Sequence, residues 1–104
     1  MTYELTTLRA TRLRATVSRR VLLEQLAEES AELAQAALKL IRAEGLSANY
    51  TPISIEDAEC KMVEELADVL TVWRVLNTDE SMCEPLVRAK LTRWHERVFG
   101  ELEK

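Results

Sequence analysis

Four carboxylates carry the chemistry this sequence offers. Glu29 and Glu32 stand three residues apart, and Glu65 and Asp68 repeat that spacing later in the chain. The echo includes their neighbours: Glu28-Glu29-Ser30-Ala31-Glu32-Leu33 matches Glu64-Glu65-Leu66-Ala67-Asp68-Val69 in the order of its acids. Residues three apart on a helix share a side, so each pair would present two carboxylates to one neighbour. Four such groups meeting between two helices repel one another, which raises their proton affinity or demands a cation. Every donor is a hard oxygen. Magnesium, with manganese as the alternative, takes such ligands and leaves positions for water and phosphate oxygens. The set therefore suits a metal held between protein acids and a polyphosphate. A lone E-x-x-E says little, because most helical glutamates are simply solvated; the weight comes from two instances in register with an apolar edge.

Helices must position these groups. Ala, Leu, Glu and Arg dominate the 104 residues, and all four are strong helix formers. Two Gly and two Pro leave little turn chemistry for hairpins of strands. The pattern predicts an all-α fold, a small bundle of about four helices in which two long ones run antiparallel. The first covers 4–15, with Leu5, Leu8 and Leu13 among arginines. Thr16 and Ser18 offer caps for a second helix from Arg19 to Glu44, which Gly45 ends. Its stripe is Leu22, Leu26, Leu33, Ala37 and Leu40, with Leu23, Ala34 and Ile41 beside it. Residues 45–53 form a loop, and Ser54 with Asp57 makes a variant capping box for a third helix from Ile55 to Asn77. Its stripe is Ala58, Met62, Leu66, Val69, Trp73 and Leu76, which makes Trp73 a core residue. After a break at 78–81, Ser81 with Glu84 forms a capping box, Pro85 sits in the first turn, and the last helix reaches about Phe99. At about 100° per residue, Glu29 points with Leu22, Leu33, Ala36 and Leu40, and Glu65 with Ala58, Val69, Val72 and Leu76. Glu32 and Asp68 take the rims. Carboxylates on an apolar edge are costly unless paired or bound to metal.

Other classes are disfavoured. Eighteen acids against 14 bases give a net charge of −4, a poor match to duplex nucleic acid. Cys60 and Cys83 have neither metal spacing nor a redox motif and read as reduced, structural thiols. His95 is the only histidine, and the Glu-x-x-His of di-iron bundles is absent. No apolar run is long enough to span a bilayer and no signal pattern opens the chain, so the expectation is a cytoplasmic protein without membrane contact.

The string E-E-x-x-E followed by E-x-x-D, here Glu28-Glu29-Ser30-Ala31-Glu32 and Glu65-Leu66-Ala67-Asp68, resembles the signature of the MazG-like all-α nucleoside triphosphate pyrophosphohydrolases. Leu33-Ala34-Gln35-Ala36 after the first motif and Val69-Leu70 after the second fit as well. The resemblance covers roughly residues 19–99. It implies magnesium-dependent hydrolysis of (deoxy)nucleoside triphosphates to monophosphate and pyrophosphate. Carried over by position, Glu29, Glu32, Glu65 and Asp68 would be the metal ligands and Glu28 an accessory catalytic acid beside Glu29. Lys90, Arg93 and Arg97 resemble the basic positions that hold phosphate. Two departures stand out: the interval between Glu32 and Glu65 is longer than in many relatives, and an Asn common in their last helix is replaced near Trp94.

Two rivals share parts of the pattern. Phosphoribosyl-ATP pyrophosphohydrolases carry the same acids. A non-catalytic helical interaction module would use them as a solvated or salt-bridged edge, with Arg9, Arg12, Arg14, Arg19 and Arg20 as counter-charges. Two long amphipathic helices in so short a chain also present more apolar face than one copy covers, so a homodimer or homotetramer is expected, as in similar proteins of this size.

Overall fold

The computed structural model describes residues 3–46, 53–76, 81 and 83–100. It is all-α: α1 (Tyr3–Thr16), α2 (Arg19–Ala43), α3 (Ile55–Leu76) and α4 (Cys83–Phe99), with no strand among the described residues. Most of the expected loop at 45–53, the expected helix end at Asn77 and residues 78–80 of the expected break at 78–81 lie outside them.

Local chemistry accounts for the ends of the two long helices. Ser18 is extended and its hydroxyl accepts from the Val21 amide at 3.2 Å, so α2 starts where the cap was expected. At the other end Gly45 adopts φ +73°, its amide donates to the Arg42 carbonyl, and Leu46 donates to Ile41. This paired arrangement satisfies two carbonyls that the helix leaves over, and it requires the left-handed residue that glycine supplies. Ser54 caps α3 by accepting from the Asp57 amide at 2.9 Å. Glu84, expected in a box with Ser81, accepts at its Oε1 from Arg88 Nε one turn on, at 3.2 Å.

α2 and α3 pack along their length as an antiparallel hairpin. Among the buried and half-buried positions, Leu22, Leu26, Glu29, Leu33, Ala36, Leu40 and Ala43 of α2 face Ala58, Met62, Glu65, Val69, Val72 and Leu76 of α3. Both alternate steps of four and three, the repeat of a coiled-coil seam. Ala36, Ala43 and Ala58 thin the seam at the loop end, while Leu22 and Val72 widen it at the other. This seam corrects one detail of the sequence pattern. Leu66, counted in the α3 stripe, is 44% exposed and points off the seam. Trp73 is half-buried, as a stripe residue should be.

α1 closes the wide end. Ala10, Leu22 and Val75 form a small cluster with Val17 and Leu76 against it. Arg14 fixes the docking: its Nε donates to the Val75 carbonyl and its Nη2 to the Arg74 carbonyl, 3.1 Å away. A guanidinium there satisfies carbonyls at the negative end of α3. α4 is different, because none of its residues is buried.

Candidate metal centre

Glu29 and Glu65 occupy equivalent seam positions on facing helices, where their neighbours seven residues away are alanine, leucine or valine. Glu32 and Asp68 each stand one residue before the next seam position and flank the pair on the same side of the hairpin. One carboxylate oxygen from each of Glu29, Glu32, Glu65 and Asp68 lies within 4.8 Å of all the others. The four acids singled out by spacing thus meet in space, held by the two best-packed elements of the fold.

Burial divides them. Glu65 is 5% exposed and Glu29 half-buried, whereas Glu32 and Asp68 face solvent. The inner pair forms the floor and the outer pair the mouth. The sequence pattern set both first acids at the edge of the apolar face; Glu65 lies fully inside it.

The electrostatics follow from crowding. The charge of Glu29, and then the neighbouring Glu65 carboxyl, hold the Glu32 carboxyl above its ordinary pKa. Glu65 moves the other way. The Lys61 ammonium, 2.9 Å from Glu65 Oε1, keeps it below the ordinary carboxylate range despite burial. Lys61 also stands 3.9 Å from Glu64 and is itself raised by these partners, the hydrogen bond to Glu65 first. Lys61 was not singled out from the sequence. The signal was present: it lies one turn before Glu65, the (i, i+4) spacing at which a lysine and a glutamate meet.

A cation fits the donor set. Glu29 Oε2 and Glu65 Oε2 are buried without a hydrogen-bond partner among the described residues. An unpaired buried carboxylate oxygen is expensive, and two in one cluster of acids call for positive charge nearby. Opposite oxygens around an octahedral magnesium ion are about 4.2 Å apart, close to the spread of this set. All four donors are carboxylates, which selects a hard ion such as magnesium or manganese over zinc or copper.

The remaining predicted residues lie elsewhere. Glu28 is exposed on α2, one residue before Glu29. Lys90, Arg93 and Arg97 are exposed on α4, where they line a surface groove with Trp94 and Glu96; none of the four acids lines it. His95 stacks against Phe99 with ring centres 4.5 Å apart. Cys60 and Cys83 are both free thiols, Cys60 exposed and Cys83 half-buried. No helix among the described residues is long and apolar enough to cross a membrane. No protein-family model, curated protein or solved structure matches the chain.

Proposed function

We propose that this chain is a magnesium-dependent nucleoside triphosphate pyrophosphohydrolase of the MazG-like all-α kind, releasing pyrophosphate and a nucleoside monophosphate. The reading is carried by the convergence of Glu29, Glu32, Glu65 and Asp68, with two of their oxygens buried and unpartnered. A solvated acidic edge would not bury those oxygens. Glu29 and Glu65 would hold the ion from the floor and Glu32 and Asp68 from the mouth, where a triphosphate would enter from solvent. Bound there, magnesium or manganese neutralises phosphate charge and polarises the phosphate oxygens. Glu28, exposed on α2 one residue before Glu29, would orient the attacking water and take its proton. Lys90, Arg93 and Arg97 line a separate groove on α4 and carry no step in this reading.

The experiment is pyrophosphate release from a panel of ribo- and deoxynucleoside triphosphates, with phosphoribosyl-ATP included, in the presence and absence of magnesium. Metal-dependent release from the triphosphates is the expected result. Release from phosphoribosyl-ATP alone would move the assignment to that neighbouring reaction. A non-catalytic interaction module is favoured by one observation, the many exposed large apolar side chains. Its proposed counter-charges are partly engaged already: Arg14 on the end of α3 and Arg20 on Glu24 at 2.9 Å. No release from any member of the panel would favour that module.

A further inference from the structure

We infer that the wedge between α1 and the last turns of α3 is a binding site for a small aromatic anion, separate from the four acids. The wedge follows from how α1 docks. Thr6, Ala10 and Leu13 stand four and three residues apart, so they share the side of α1 that lines it. Ala10 alone of the three is buried, in the cluster with Leu22 and Val75. Arg14 pins the end of α1 to the carbonyls of Arg74 and Val75. Short side chains at Thr6 and Ala10 do not fill the space beside this contact. A cavity of about 820 Å³ is left, and Cys83 and Glu84 at the start of α4 give it a third wall. Small-molecule sites have roughly this size, about 300–1,000 Å³.

The lining is of two kinds. Trp73, Leu13 and Leu70 supply apolar surface that is still open: Leu13 is 48% and Leu70 55% exposed, and Trp73 is half-buried. Arg9 and Arg74 supply positive charge from the two facing helices. Each already has another interaction, and five N–H donors on a guanidinium leave capacity for an anion. Arg14 adds a third guanidinium at the same end of α3. Glu84, the one acid lining the cavity among the described residues, is balanced by Arg88 Nε at 3.2 Å. In a chain of net charge −4, this end is a local surplus of positive charge.

An indole among guanidinium groups selects the ligand. A planar ring packs against Trp73, and an anionic group on that ring takes paired N–H bonds from an arginine fork. Phosphate and carboxylate share this chemistry. A metal ion would be repelled by the same wall, and a neutral apolar molecule would leave its charge unanswered. None of the four acids lines the cavity, so binding there needs no metal. The inference is independent of the enzymatic reading.

The test is a fluorescence titration of the full chain carrying Trp94→Phe, which leaves Trp73 as its only tryptophan, with a chelator present. Adenosine monophosphate and phenylacetate are the phosphate and carboxylate probes. At least one should change the emission saturably, with half-saturation at about 1 mM or below, and the tighter of the two names the anionic group. Adenosine and phenylacetamide, which keep the rings without the charge, should bind more weakly by about tenfold or more. Arg9→Met and Arg74→Met, each checked for helix content by circular dichroism, should weaken the anion by a similar factor. Glu65→Gln should leave its affinity within about twofold. No saturable change with either anion overturns the inference. So do equal affinities for the charged and neutral probes, which need no substitution to measure. A signal that requires magnesium, or that Glu65→Gln removes, would place the ligand at the four acids and overturn it as well.

Discussion

Two layers of one seam, a single heptad apart, are built on opposite rules. Ala36 and Ala58 meet the facing helix as the smallest side chains that still bury apolar surface. Glu29 and Glu65 occupy the equivalent positions one repeat along, where a leucine would pack without penalty. The first layer brings the two backbones close, and the second uses that closeness to confine charge. A chain selected for hairpin stability alone would not place two unpartnered carboxylate oxygens between its best-packed helices. The difference separates a layer that packs from a layer that, on the proposed reading, holds an ion.

The largest expected effect comes from making the layers alike. Glu65→Gln removes one inner negative charge and should abolish turnover by at least a hundredfold while leaving helix content intact. Full activity in that variant would rule out Glu65 as a ligand. Glu29→Leu with Glu65→Leu should do the same to activity and should raise the thermal midpoint in metal-free buffer, because apolar side chains replace repelling acids. A lower midpoint for the double variant would mean that the acidic layer stabilises the fold without any ion.

The reverse substitution probes the packing layer. Ala58 is 2% exposed, so Ala58→Leu must push α2 and α3 apart, which should cost about 1–3 kcal/mol by urea unfolding. Activity should fall as well, since the same displacement separates Glu29 from Glu65. A stability change below about 0.5 kcal/mol would show that the hairpin yields easily at the alanine layer.

How much of this was legible in the sequence can be argued from particular residues. The four acids, the caps at Ser18 and Ser54 and the stop at Gly45 were readable because each depends on local spacing. The seam was readable on α2, where Leu22, Leu26, Leu33 and Leu40 recur with a clear period. It was blurred on α3, where Leu66 is as apolar as Val69 and only the position of the facing helix decides between them. Lys61 was overlooked because a lysine near a glutamate is ordinary on any helix surface; it matters only once Glu65 is known to be buried. The placement of α4 is the least legible. Its stripe of Val87, Leu91, Trp94 and Val98 is amphipathic, but all four remain 47–62% exposed, and periodicity does not name the surface a stripe will meet.

Charge in the acidic layer also makes a pH prediction. Glu32 is raised by Glu29 and by the neighbouring Glu65, so its protonated form is favoured by the fold. Its contribution is present at low pH and is lost as pH rises through its raised value. Glu65 is lowered by Lys61, so its contribution is present above the ordinary glutamate value and is lost as pH falls below it. Metal-free protein should therefore be most stable in the mildly acidic interval between these two limits. Magnesium in excess should raise the midpoint by several degrees at neutral pH, with a smaller gain in that acidic interval, where protons compete with the ion. Thermal scans across pH with and without magnesium test this; a metal-induced rise that does not shrink on acidification would exclude Glu32 as a ligand.

The smallest effect concerns Lys61, which supplies positive charge to Glu65 from the protein itself. Lys61→Met should lower the thermal midpoint in metal-free buffer by a degree or two, because Glu65 then keeps its burial and loses its nearest cation. With saturating magnesium the deficit should narrow, since the ion provides the charge that the ammonium gave. The coupling between substitution and metal, rather than either alone, is the quantity to measure. Equal deficits with and without magnesium would mean that the lysine and the ion do not act on the same carboxylate. The acidic layer would then differ from the alanine layer only in its tolerance of charge, with no demand for a metal.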